Sequence, residues 1–132
     1  IKAQGDMTDP SKKAARRDDF KAIVEKDARQ NFFSACRDGD IQTISQMIIR
    51  YPNCIEWKDS ADGGKTGLML SCANGDLRVA MALLIAGAQV DTQNERGSTA
   101  LMFAAMSDQT KVLKLLLDYR ASPDLQNQDG TT

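Results

Sequence analysis

Gly63-Gly64-Lys65-Thr66 is the stretch of this 132-residue chain whose residue types and order come nearest to chemistry. A glycine-rich loop ending in Gly-Lys-Thr cradles phosphate with backbone N–H groups and sets a lysine against it. The complete pattern needs a glycine five residues before Gly64, and that position holds Asp59, whose carboxylate repels phosphate. Little else supports catalysis. The chain has no histidine, so the commonest general base and metal ligand is missing. Its carboxylates fall in no acid/base or metal-loop pattern. Cys36, Cys54 and Cys72 are too few for a disulfide framework and form no Cys-x-x-Cys pair for zinc. They read as small core residues, a use that suits a free thiol. No enzymatic activity, cofactor, metal or small-molecule substrate is expected.

Charge narrows the partners further. Seventeen basic residues face eighteen acidic ones, a formal charge of −1, so no overall field draws the chain to nucleic acid or an anionic membrane. The basic cluster Lys12, Lys13, Arg16 and Arg17 could serve as an import signal or a phosphate patch. Asp18 and Asp19 follow it directly, and a solvated helix face is the preferred reading. The longest apolar run is too short to span a bilayer, and no signal-peptide pattern opens the chain. With no Asn-x-Ser/Thr sequon and unpaired cysteines, an intracellular, cytoplasmic setting is expected.

The elements that hold these residues are set by a repeat. Gly64, Gly97 and Gly130 stand 33 residues apart. At the same interval Thr66 returns as Thr99, Leu68 as Leu101, Leu83 as Leu116, Ala88 as Ala121 and Asp91 as Asp124. Such a period marks stacked units, none of which hides its apolar side alone.

The wording of the unit, Gly64-Lys65-Thr66-Gly67-Leu68-Met69 through Asn74-Gly75-Asp76 and Leu83-Leu84 to Gly87-Ala88-Gln89-Val90-Asp91, resembles the ankyrin repeat. The next copy, opening Gly97-Ser98-Thr99-Ala100-Leu101-Met102, is similar. Two departures stand out. The family's Thr-Pro-Leu-His box is Thr66-Gly67-Leu68-Met69 and Thr99-Ala100-Leu101-Met102, so the proline that starts the first helix and the histidine that links neighbouring turns are both replaced. The resemblance implies an all-α solenoid of stacked helix pairs with projecting β-hairpin fingers. Repeats are expected at about 31–63, 64–96 and 97–129, with another beginning at 130, so that the natural protein continues beyond Thr132.

Ahead of the repeats, residues 1–30 read as a polar tail and an amphipathic capping helix. Asp9-Pro10 is a good helix start, and Phe20, Ile23, Val24 and Ala28 share one side. Gly39 to Gly75 is three residues longer than the period. An insertion within a helix would rotate its apolar stripe off the core, so the surplus is assigned to the segment from Asp59 to Gly64, predicting a longer first finger. Arg120 stands where Gly87 ends the previous unit. Left-handed backbone there would cost it about 1 kcal/mol.

The resemblance also implies what the chain does. Ankyrin proteins commonly hold a partner protein or peptide with their fingertips and the exposed side of each first helix. Carried over by position, these are Asp62, Lys65 and Leu70, then Glu95, Arg96, Ser98 and Phe103, then Gln128, Asp129 and Thr131. By family phase Leu70 and Phe103 face the groove and could floor it; the alternative is that they pack against adjacent fingers. Trp57, the sole tryptophan, lies in the first finger and is either an interface anchor or a packing residue. The family's hydroxylated asparagine is replaced by Glu56, Asp91 and Asp124, so that modification is not implied. The expected function is a protein-binding scaffold. A second reading is a targeting or regulatory arm of a larger enzyme, channel or bacterial effector.

Overall fold

The computed structural model describes residues 26–130. The expected capping helix ahead of residue 26, the basic cluster at 12–17, and Thr131 lie outside them. Helix α1 covers 26–38 and α2 is Ile41–Arg50. The next pair is α3, Gly67–Asn74, with α4, Leu77–Ile85. The last is α5, Ala100–Met106, with α6, Thr110–Asp118. Thr66 and Thr99 therefore open two matching helix pairs, as the period requires. No turn separates 26–30 from the first helix of the first unit; they are continuous in α1.

The first helices α3 and α5 each begin with a reciprocal cap. Thr66 Oγ1 accepts from Met69 N at 3.3 Å, and Thr66 N donates to Met69 Sδ at 3.5 Å. Thr99 and Met102 repeat this at 3.4 and 3.5 Å. Methionine thus takes, through a weak sulfur acceptor, the place of the expected histidine. The second helices α2 and α4 are capped by Asp40 and Asp76, which accept from Thr43 N and Val79 N. The Thr43 hydroxyl and N–H hold the Asp40 carboxyl below its ordinary pKa. α6 has Gln109 at its N-cap, which makes no side-chain capping hydrogen bond.

The helix-to-helix turns are left-handed at Gly39 and Gly75, and also at Asp108, which no glycine marks in the sequence. Arg120 has φ +66°, the left-handed conformation inherited from its glycine counterpart.

The core is a line of side chains, with Phe32, Ile44, Leu68, Val79, Leu83, Val112 and Leu116 fully buried. α3 packs along α5, and α4 lies between α2 and α6. Gly67 explains the missing proline: a Cβ there would lie 2.7 Å from Phe32 Cζ and 2.9 Å from Cys36 Sγ. Side chains from α1 fill that space. All three cysteines are free and buried, and burial pushes the thiols of Cys36 and Cys72 up to about 12 and that of Cys54 to about 11.

Between the helix pairs the chain projects fingers. In the first, Lys58–Asp59 pairs antiparallel with Lys65–Thr66, and a short 3-10 turn, Ser60–Asp62, occupies the tip. The second closes through a tight turn, Gly97 N donating to Asn94 O at 2.9 Å. The first finger is accordingly the longer by two residues, Gly64 N returning to Asp59 O across five positions where Gly97 N returns to Asn94 O across three. The third surplus residue lies before Glu56 and not in the finger, since Glu56 and Asp91 fill equivalent places 35 apart. Neighbouring fingers are stitched in phase: Glu95 N donates to Gly63 O at 3.0 Å, and Gln128 N to Arg96 O at 2.8 Å.

Candidate functional site

The stitching creates a groove across the fingertips. It encloses about 350 Å³ and is lined by Asp62, Gly63 and Lys65 of the first finger, by Asn94, Glu95, Arg96 and Ser98 of the second, and by Asn127 and Asp129 of the third. Phe103 and Met106 of α5 form its apolar part. Lys65 Nζ lies 3.2 Å from Asp62 Oδ1 and 5.2 Å from the centroid of the Phe103 ring. Asp62 also meets Arg37 of α1 at 3.5 Å, and Arg37 holds Asp59 at 2.6 Å. The first finger is thereby tied to α1, and Lys65 is held as a roof over Phe103.

Seven of the ten residues carried over from family phase line this one groove: Asp62, Lys65, Glu95, Arg96, Ser98, Phe103 and Asp129. Gln128 adjoins it, its Nε2 donating to Glu95 O at 3.1 Å. Two expectations of exposure need correction. Leu70 is 6% exposed and belongs to the core, because α3 is packed between α1 and α5. Its counterpart Phe103, one unit later, is only half-buried. Ser98 is 7% exposed and serves the fingers themselves, accepting from Asn94 N through its carbonyl and from Asn127 Nδ2 through Oγ.

Trp57 does not reach the groove. It stands in a separate depression, with its ring 5.8 Å from Phe32 and 5.9 Å from Tyr51. The sequence reading missed Met106, which is 72% exposed on the last turn of α5. It also missed Asn94, whose Oδ1 accepts from Arg96 N and Ser98 N. Asn94 was findable, since asparagine followed three residues later by glycine is a turn signal. Met106 was not: at its phase in α3 stands Ala73, beside Cys72, which is fully buried.

The ankyrin-repeat family model, written for three copies, matches residues 32–129. This chain belongs to the ankyrin-repeat family. No curated protein matches it at a significant level. Ankyrin repeats are generally protein–protein interaction modules and are typically non-catalytic.

Within the ankyrin frame the phosphate-loop look-alike has other work. Gly63 and Gly64 take left-handed φ at the finger, Lys65 is paired with Asp62, and Thr66 is the buried cap of α3. Glu56 and Asp91, at places where ankyrin repeats can carry a modified asparagine, join successive units: Glu56 Oε1 accepts from Gln89 N, and Asp91 Oδ1 from Ser122 N. Among the described residues no group of three or more Cys, Asp or Glu side chains could hold a metal ion, and no helix is long and apolar enough to cross a membrane.

Proposed function

We propose that this ankyrin solenoid recognises a partner protein or peptide through the groove that runs across its three fingertips. The observation that carries the reading is convergence: residues chosen by sequence phase from three separate fingers line a single depression together with two apolar side chains of α5. Asp62, Lys65, Glu95, Arg96, Gln128 and Asp129 supply a polar rim of both signs, and Phe103 with Met106 supplies the surface worth burying. The module works by binding and not by catalysis. Its buried, unpaired thiols fit a reducing compartment, and we place it inside the cell.

The test is affinity capture from native extract with the chain and with a Lys65→Ala, Arg96→Ala, Phe103→Ala, Met106→Ala variant of unchanged circular dichroism. A discrete partner recovered by the first and lost by the second is the expected outcome. Equal recovery by both contradicts the groove assignment.

A further inference from the structure

A second depression, apart from the fingertip groove, surrounds Trp57. The chain leaves α2 at Arg50 and turns through a 3-10 helix, Pro52–Glu56. That turn sets Tyr51 and Trp57 side by side, against α1. A depression of about 380 Å³ results, lined among the described residues by Arg29, Arg50, Tyr51, Pro52, Asn53 and Trp57. Of these six described residues two are cationic and none is acidic, in a chain whose formal charge is −1.

Both guanidiniums lie against aromatic rings. Arg29 Cζ is 5.0 Å from the Trp57 ring centroid, and Arg50 Cζ is 5.7 Å from that of Tyr51, with Arg50 Nε donating to Tyr51 Oη at 3.3 Å. A guanidinium with no carboxylate partner keeps N–H groups available, and its planar fork matches carboxylate and phosphate oxygens. Arg37 is instead neutralised by Asp59 and Asp62, whereas Arg29 and Arg50 have no acidic partner among the described residues. Asn53 adds an exposed amide.

We propose that this depression is an oxyanion site, taking a carboxylate or phosphate presented on a peptide segment. The two forks hold the oxyanion, and the Trp57 and Tyr51 rings cover the neighbouring part of the peptide. None of these residues lines the fingertip groove, so this site and the groove stand or fall separately.

Because Trp57 is the only tryptophan, its emission reports occupancy directly. The chain is titrated with an oligoglutamate peptide, with the matching oligoglutamine, and with a phosphoserine peptide and its unphosphorylated twin. A saturable emission change with the anionic peptides and none with the neutral ones is expected, weakening as salt rises. Binding of oligoglutamate identifies carboxylate as sufficient; binding of the phosphopeptide alone identifies phosphate. Arg29→Gln with Arg50→Gln is expected to weaken binding at least about tenfold, and Arg29→Lys, which keeps charge but loses the fork, by a smaller factor. Arg78→Gln, an exposed arginine outside the depression, should leave it unchanged. No saturable change with any anionic peptide, or equal affinity in the Arg29→Gln, Arg50→Gln variant of intact circular dichroism, overturns the proposal.

Discussion

Replacing Gly67 by alanine sets two physical rules against each other. In an open first turn alanine is the better helix former by up to about 1 kcal/mol, so the change would stabilise. Here the new methyl would stand 2.7 Å from Phe32 Cζ and 2.9 Å from both Phe32 Cε2 and Cys36 Sγ. Phe32 and Cys36 are themselves fully buried and cannot swing into solvent. Overpacking of this kind costs about 1–3 kcal/mol, which exceeds the propensity gain. The net expectation is a loss of about 1–2 kcal/mol, seen as a lower midpoint in urea denaturation followed by circular dichroism. A double-mutant cycle localises the cause. In a Cys36→Ala background, where the sulfur is gone, the cost of Gly67→Ala should fall by at least about 0.5 kcal/mol. A midpoint that rises in Gly67→Ala, or a cost indifferent to Cys36, would refute the packing argument and leave the missing proline unexplained.

Three further outcomes are expected. Arg120→Gly relieves left-handed backbone at φ +66° and should raise the urea midpoint by up to about 1 kcal/mol, while Gly87→Ala should lower it by a similar amount. Thr99→Ala removes the acceptor for Met102 N in a buried cap and should cost about 1 kcal/mol, with Thr99→Ser recovering most of it, both read from urea midpoints. The thiols are raised by burial from an ordinary 9.0 to about 11–12. Their contribution is therefore complete below about pH 9 and is lost as pH climbs toward those folded values. Thermal melts of the chain and of Cys72→Ala across pH 8–11 should diverge, the variant showing the shallower decline.

Much of the fold was legible because a repeat states its rule more than once. Thr66 and Thr99 cap equivalent helices, Gly87 and Arg120 share a left-handed turn, and two of the three surplus residues in the first unit appear at the tip that holds Ser60–Asp62. The left-handed turn at Asp108 escaped because aspartate, unlike Gly39 and Gly75, advertises no positive φ. The site was legible as phase but not as depth. Phase put Leu70 and Phe103 on one face, yet Leu70 is covered where α3 lies between α1 and α5, and Phe103 is left half-buried. Ser98 looked like a fingertip contact, and its burial follows from hydrogen bonds to Asn94 and Asn127 that a single sequence does not announce. Trp57 was marked as a candidate anchor, but its arginine neighbours lie 28 residues before it and 7 before it, a contact that only folding brings about.

Position-resolved photocrosslinking tests the groove most directly. A benzoylphenylalanine placed at Arg96 or Phe103, at the fingertips, is compared in native extract with one at Ile85, which is exposed on α4 and lines no part of the groove. A discrete protein adduct from the first two positions and none from the third is the predicted result. Adducts at Ile85 alone, or the same adduct with equal yield at all three, would contradict recognition through the fingertips.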